Sequence, residues 1–329
     1  MRAKACKRTA LVAAFGALLV TQPFLSAGQC AENYPSHAVR IIVPFGAGGP
    51  ADVAARVLGD AMQDEFKQPF VIENRPGAGA IIGTQEVVKS APDGYTLLLM
   101  SNTQTANESL MPTRKYELMR DLVAIAPINI ADLVIVVHPS VPATTLKQFI
   151  GLAKSQPGKL NYASSGTGTP YHMAAELFKA MTDINVVHVP YRNSGEARSG
   201  VIGGQVQMMI DSVTTMAPNV VAGQVRALAT TGKSRSAALP DVPTVSETVP
   251  GFEASGWAAL VVPKGTPDDA VATLNAATNA GLKDPAVIAR LAALGGQPFI
   301  ATPAEIGKLM TDETAKWAKV IKFANIKLE

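Results

Sequence analysis

The chain has 329 residues, enough for two domains of ordinary size, with 47% apolar and 17% charged residues and with 27 glycines and 23 prolines. That composition excludes a disordered, collagen-like or coiled-coil protein and points to a compact, turn-rich one. The net charge of +3 is set at the start, where Arg2, Lys4, Lys7 and Arg8 precede any acidic residue; with no cluster of lysine and arginine interleaved with aromatics, nucleic acid is excluded as a partner.

Residues 1–30 read as a secretory signal peptide: the basic start, an uncharged run from Ala10 to Val20, Pro23, then the small residues Ser26, Ala27 and Gly28. The run is shorter than the roughly 20 apolar residues that a membrane span needs. Cleavage is expected near residues 28–31, and Gln29 before Cys30 departs from a lipoprotein site. No cysteine follows Cys30, so the mature chain is expected to have neither an internal disulfide nor a thiolate metal cage. The expectation is an exported protein.

From Val39 onward, short β-rich runs alternate with amphipathic helical stretches. Strands are predicted at Val39 to Val43, Phe70 to Ile72, Tyr95 to Met100, Leu133 to Val137, Leu160 to Ala163, Val186 to Val189, Val206 to Ile210, Val225 to Ala229 and Trp257 to Val262. Helices are predicted at Val53 to Met62, Leu146 to Ala153, Met173 to Met181, Ala270 to Leu282 and Pro303 to Phe323. This alternation predicts an α/β fold of parallel sheets covered by helices, and the number of elements predicts two α/β lobes.

One pattern occurs twice. Gly46-Ala47-Gly48-Gly49-Pro50 follows the first strand and opens a helix, and Gly166-Thr167-Gly168-Thr169-Pro170 does the same 120 residues later. Proline suits the first helical position because its missing N–H has no helical acceptor there, and the glycines let backbone come close to a ligand. Each loop is expected to present several free N–H groups at the positive end of a helix dipole, a cradle for an anion at the carboxyl end of a strand.

The rest of the chain narrows the chemistry. Gly46, Gly48 and Ala51, with Glu73 after the next strand, can be parsed as a dinucleotide fingerprint, the NAD-dependent oxidoreductase reading; against it, Pro44 and Phe45 lengthen the turn, and Pro50 and Asp52 put a rigid ring and a negative charge where pyrophosphate would lie. The four histidines, His37, His138, His172 and His188, are dispersed and form no metal-ligand spacing, and His172 reads as a structural or polar-rim residue. Ser164 and Ser165 lie outside any G-x-S-x-G elbow. Asp211 ends a strand, where it either accepts from a ligand or caps the next turn.

Five motifs then stand in order: Pro44-Phe45-Gly46-Ala47-Gly48-Gly49-Pro50-Ala51-Asp52, Glu73-Asn74-Arg75-Pro76-Gly77-Ala78-Gly79, Ala91-Pro92-Asp93-Gly94-Tyr95-Thr96-Leu97, Val189-Pro190-Tyr191 and Asp241-Val242-Pro243-Thr244. In these the chain resembles the extracytoplasmic solute receptors of the tripartite tricarboxylate transporter family, the Bug proteins, from about Tyr34 to the C-terminus. The resemblance implies a type II periplasmic binding protein with residues 31–131 plus 255–329 in one lobe, 132–254 in the other, and crossings near Ala131 and Ser255. It implies a periplasmic monomer that carries a di- or tricarboxylate, an acidic amino acid or an aromatic acid to a tripartite tricarboxylate-type permease, with no cofactor. A ligand-sensing adaptor for a signalling kinase is the alternative that shares this pocket. The implied ligand-binding residues are Gly48, Gly49, Pro50, Ala51 and Asp52 in the first lobe, with Ser165, Gly166, Thr167, Gly168, Thr169 and Asp211 in the second. Many family members have Thr or Asn in place of Ala51 and Ser in place of Tyr171, which implies a larger or aromatic acid here.

Overall fold

The computed structural model describes residues 34–293, 296–323 and 326; the signal-peptide reading of residues 1–30 lies outside the described residues. Among these the chain forms β1 (Val39–Val43), α1 (Pro50–Phe66), β2 (Phe70–Asn74), α2 (Ile81–Val88), β3 (Thr96–Ser101), α3 (Asn102–Leu110), α4 (Leu118–Asp121) and β4 (Leu122–Val137). It continues with α5 (Leu146–Ser155), β5 (Asn161–Ser164), α6 (Pro170–Thr182), β6 (Val187–Pro190), α7 (Ser194–Ile202), β7 (Met208–Ser212), α8 (Val213–Val221) and β8 (Arg226–Thr230). A 3-10 turn at Val245–Glu247 leads to β9 (Ser255–Pro263), α9 (Asp268–Gly281), α10 (Pro285–Ala293), β10 (Gln297–Pro298) and α11 (Pro303–Phe323).

The strands run in the order β2-β1-β3-β9-β4-β7-β5-β6, with β8 and β10 also paired to β4. The α/β class holds, but the expectation of parallel sheets needs correction. Parallel pairing links β1 to β2 and β3, and β5 to β6 and β7, whereas β9 and β4 run antiparallel to their neighbours. The physical reason is β4. Its first part, to Asp132, pairs with β9, and from Leu133 it pairs with β7 and β8 instead, so one 16-residue strand belongs to both halves of the sheet. Register shifts at Ala124/Ala126 and Pro127/Asn129 mark bulges in it. A bulge is where a strand tolerates proline and gains twist.

The central strands β1, β3, β7 and β9 are buried on both faces, which is why the sequence shows continuous apolar runs there, whereas the edge strands β2 and β6 are partly exposed. Ile41, Leu97 and Leu99 pack with α1, while Ile42, Leu98 and Met100 pack beneath α11. In the other half Leu133, Ile135 and Val137 face Phe149, Tyr162 and Phe178, and Val134 and Val136 face Val201, Met209 and Val213. A further cluster joins the halves: Ala106 and Leu110 of α3, Met173 of α6, and Trp317, Val320 and Ile321 of α11.

A buried polar hub pins α11 to the place where β9 enters. The Glu313 carboxylate accepts from Asn102 Nδ2 at 2.9 Å, Trp317 Nε1 at 2.8 Å and Trp257 Nε1 at 3.4 Å, and pairs with Lys316. Asn102 also donates to Ser255 O and accepts from Trp257 N. Both tryptophans are thus core residues, and Trp257 has a hydrogen-bonding role as well.

Candidate functional site

Strand register places both glycine loops on one crevice. Ser101, the carboxyl end of β3, is level with Ala258 on β9, which is opposite Asn129 on β4. Ser212, the carboxyl end of β7, is opposite Leu133. β3 runs in the direction of β4 and β7 runs against it, so the carboxyl edges of the two halves face each other across Asn129 to Leu133. Four residues of extended chain separate them, about 13 Å. Since β1 is parallel to β3, and β5 to β7, the loops after β1 and β5 open on the same gap.

The first loop is built around Asp52. Gly48, at φ +76, turns its N–H back to Asp52 Oδ2 at 2.8 Å, and Asn74 Nδ2 reaches Asp52 Oδ1 at 3.0 Å while also donating to Phe45 O. Arg56 closes the set with Nε 3.1 Å from Oδ2. Burial opposes ionisation of this carboxyl, but the donors from Arg56, Gly48 and Asn74 outweigh it and hold it below the usual carboxylate range. Asp52 is therefore an internal brace of the loop, buried and fully engaged. Gly48 is exposed, Gly49 is the N-cap, Pro50 starts α1, and Ala51 and Asp52 follow. The Gly49, Ala51 and Asp52 amides are helix-end donors with no acceptor inside the helix.

The second loop spends more donors on itself than its pattern suggests. Gly166 N donates to Ser164 Oγ at 3.1 Å, Gly168 N to His172 Nδ1 at 3.1 Å, and Thr169 N to Gly166 O at 3.4 Å. Thr169 caps α6, its hydroxyl accepting from His172 N and donating to Gly166 O. Among the described residues this leaves the amides of Ser165, Thr167 and Tyr171 without an acceptor.

Asp211 is buried, accepts from Ser212 N, and lies with Oδ2 3.1 Å from Arg198 Nε. Tyr171, the second residue of α6, lies against it. Burial lifts this carboxyl to about 6 against the pull of Arg198. Asp211 Oδ2 and Ser212 Oγ are buried with no well-formed hydrogen bond, as is Thr103 Oγ1 at the start of α3.

Contacts run from one loop to the other. A Cβ on Gly83 of α2 would come within 2.9 Å of Pro44, and the turn that leads into α2 offers Gly79 O to Asn107 Nδ2 of α3 at 2.7 Å. Asn107 Oδ1 in turn lies 3.8 Å from the Cβ position of Gly168. That turn holds Ala78 and Ala80 at positive φ, between glycines that also have positive φ. The sequence reading missed Asn74, Asn107, His172 and His188 as supports of the loops. Asn74 stood in a quoted motif and His172 lies four residues from Gly168, on the helix that the loop opens, whereas Asn107 and His188 act across elements far apart in sequence.

Arginines close to the loops are matched by acids: Arg56 with Asp52, Arg198 with Asp211, and Arg75 with Glu73 and Glu86. What remains to meet an anion are the backbone amides and hydroxyls of the loops, with the exposed Arg192 next to Tyr191 beside the second loop. The site has the means to hold an anion.

Residues 54–326 match the family model described as "Tripartite tricarboxylate transporter family receptor". The chain is 37% identical over 324 residues to Protein BugT of Bordetella pertussis, covering 98% of this chain and 99% of that one. It is similar to the solved structure of Rpa4515 of R. palustris with adipate, at TM-score 0.80 and 32% identity over 89% of this chain and 99% of that one. It is also similar to MatC of Rhodopseudomonas palustris with bound malate, at TM-score 0.78 and 31% identity over 88% of this chain and 100% of that one.

Proposed function

We infer from the premise that this chain belongs to the tripartite tricarboxylate transporter family of receptors that it captures a small organic carboxylate and delivers it to the family's membrane permease. Receptors of this family are periplasmic solute-binding proteins; for this chain, export and removal of residues 1–30 belong to the proposal. The observation that carries the reading is the pair of helix ends, α1 and α6, opening on one crevice with backbone amides free to meet an anion.

The proposed ligand is a dicarboxylate of the size of malate or adipate, which two relatives hold. The proposed lobes are residues 31–131 with 255–329, and 132–254, turning about β4 and β9. A ligand favours the closed form only by its greater affinity for it, so both loops must meet the ligand for closure to confer specificity. The contacts proposed are Gly48, Gly49, Pro50 and Ala51 from the first loop and Ser165, Gly166, Thr167, Gly168 and Thr169 from the second. Asp52 braces the first loop, and Asp211 with Tyr171 borders the second. The receptor is proposed to act as a monomer.

Thermal melting of the mature chain against malate, adipate, acidic amino acids, aromatic acids and NAD tests this. Ligand at about a hundred times its Kd adds about 3 kcal/mol, a shift of several degrees. A carboxylate that raises the melting temperature, with the effect lost in Gly48→Val, is the expected result. Gly48 sits in open space, so a β-branched residue there is opposed by its positive φ rather than by crowding. A shift from NAD alone, or equal shifts in Gly48→Val, would overturn the reading.

A further inference from the structure

Beneath the second loop lies a layer of polar side chains, buried at Ser164, His172 and Glu176 and half-buried at His188. His188 on β6 and His172 on α6 have ring centroids 4.2 Å apart, and the Tyr162 ring lies 4.9 Å from His188. His188 Nε2 and Ser164 Oγ share a hydrogen bond of 2.6 Å, and that same Oγ accepts the Gly166 amide. His172 Nδ1 takes the Gly168 amide. An amide N–H can only donate, so His172 must present a lone pair at Nδ1 and carry its proton on Nε2.

We propose that His172 is a positioning residue of the binding crevice: its neutral imidazole draws the Gly168 amide inward, so that a bound carboxylate meets the amides of Ser165 and Thr167. His188 backs this arrangement by fixing Ser164, which takes the other glycine amide of the loop. The assignment rests on the carboxylate-receptor reading given above. It makes the second loop dependent on an imidazole that touches no ligand itself.

The surroundings favour the neutral rings. Burial, with Lys179, lowers His172 to about 4. Burial, with the His172 ring and Lys179, lowers His188 to about 3, against a smaller opposing pull from Glu176. Glu176 on α6 is occupied by the Tyr162 hydroxyl at 2.5 Å and by Lys179 at 2.6 Å. On the other elements packed against α6, Asp211 of β7 is paired with Arg198, Glu313 of α11 with Lys316 and its three donors, and Glu108 of α3 with Arg114. None of these carboxylates is spare to stabilise an imidazolium. A proton on His172 would remove the acceptor of the Gly168 amide and place a charge against both His188 and Lys179.

Two substitutions separate positioning from packing. Asn offers an oxygen near the place of Nδ1 and does not titrate, whereas Leu fills space without an acceptor. At neutral pH, adipate or malate affinity is expected to fall at least tenfold in His172→Leu and to stay within about threefold of wild type in His172→Asn. On acidification the wild type loses affinity relative to His172→Asn, about twofold where His172 is half protonated and tenfold one pH unit lower; protonation of the acid itself is common to both proteins. Independently of any ligand, the Gly168 amide resonance in 15N-labelled full mature chain should move with His172 titration in wild type and stay fixed in His172→Asn. Equal affinity in wild type and His172→Leu, or a Gly168 resonance indifferent to His172 titration, would overturn the proposal. Should wild type bind neither acid, the receptor reading has failed, and the Gly168 resonance still decides the role of His172. It decides also if His172→Leu does not fold.

Discussion

Asp52→Asn removes one charge and almost no volume from the first loop. In the native loop Oδ2 accepts the Gly48 amide and Arg56 Nε, and Oδ1 accepts Asn74 Nδ2. An asparagine has one oxygen, so its amide must face a donor on one side, whichever way it turns. Losing one charge-assisted bond to a partly buried donor costs about 1.5–3 kcal/mol. The lost charge at the start of α1 adds about 0.5 kcal/mol, while the half-exposed Arg56 contributes little because solvent screens it. The expected cost is about 3 kcal/mol in urea unfolding at neutral pH, with adipate or malate affinity down at least tenfold because Gly48 is released. The sign of the pH effect follows from the lowered pKa. Asp52 contributes stability that is present above the usual carboxylate pKa and lost as pH falls through the folded value, so the gap between wild type and variant narrows in acid. A cost below about 1 kcal/mol together with unchanged affinity would refute the view of Asp52 as the brace of this loop.

Three further outcomes are expected. Gly83→Ala places a methyl 2.9 Å from Arg75 O and from Pro44 Cβ; overpacking of about 1–3 kcal/mol outweighs the gain in helix propensity, and a raised melting temperature would contradict that close approach. Glu313→Leu strips the acceptor from Asn102 and both indoles and should cost about 3–5 kcal/mol in urea unfolding followed by circular dichroism, where a loss under about 1 kcal/mol would remove the hub from the account. Asp211, raised to about 6, keeps its proton after the unfolded chain has released its own, so its stabilising contribution is lost as pH rises through about 6. Asp211→Asn escapes that loss, and its stability relative to wild type should grow by about 2 kcal/mol from about pH 4 to about pH 6; parallel pH profiles of the two proteins would refute it.

The elements that could be read from sequence were those whose burial leaves a plain apolar signature. β1 matches its predicted span residue for residue, and α11 likewise. The first part of β4 escaped notice because Pro127 and Asn129 interrupt it, and both are accommodated at bulges. α3 reads Asn-Thr-Gln-Thr-Ala-Asn-Glu-Ser-Leu, a polar string that becomes helix because its polar side chains are buried and bonded between β9, α11 and the turn before α2. α2 begins from Ala80 in a left-handed conformation with no side-chain cap, so no start signal was visible. α8 carries Pro218 inside it. The expectation of parallel sheets failed because pairing partners are a property of the fold's connections, and alternating elements are compatible with antiparallel crossing strands.

In the site, the repeated glycine-proline pattern marked both loops, since local backbone demands are written locally. What the loops rest on was not legible. His172 and His188 are 16 residues apart on different elements, and only the packing of α6 against β5, the strand beside β6, brings their rings together. Asp52 was read for its backbone next to the glycines; that its side chain braces the loop was not legible, because its bonds to Asn74 and Arg56 could not be seen.

The hub at Glu313 has a practical corollary. The chain has two tryptophans, and both indole N–H groups end on this single carboxylate, at the point where the last helix is fastened beside the strand crossing. A rearrangement of that junction would reach both chromophores, so ultraviolet emission offers an optical gauge, without an attached dye, of the lobe movement proposed above.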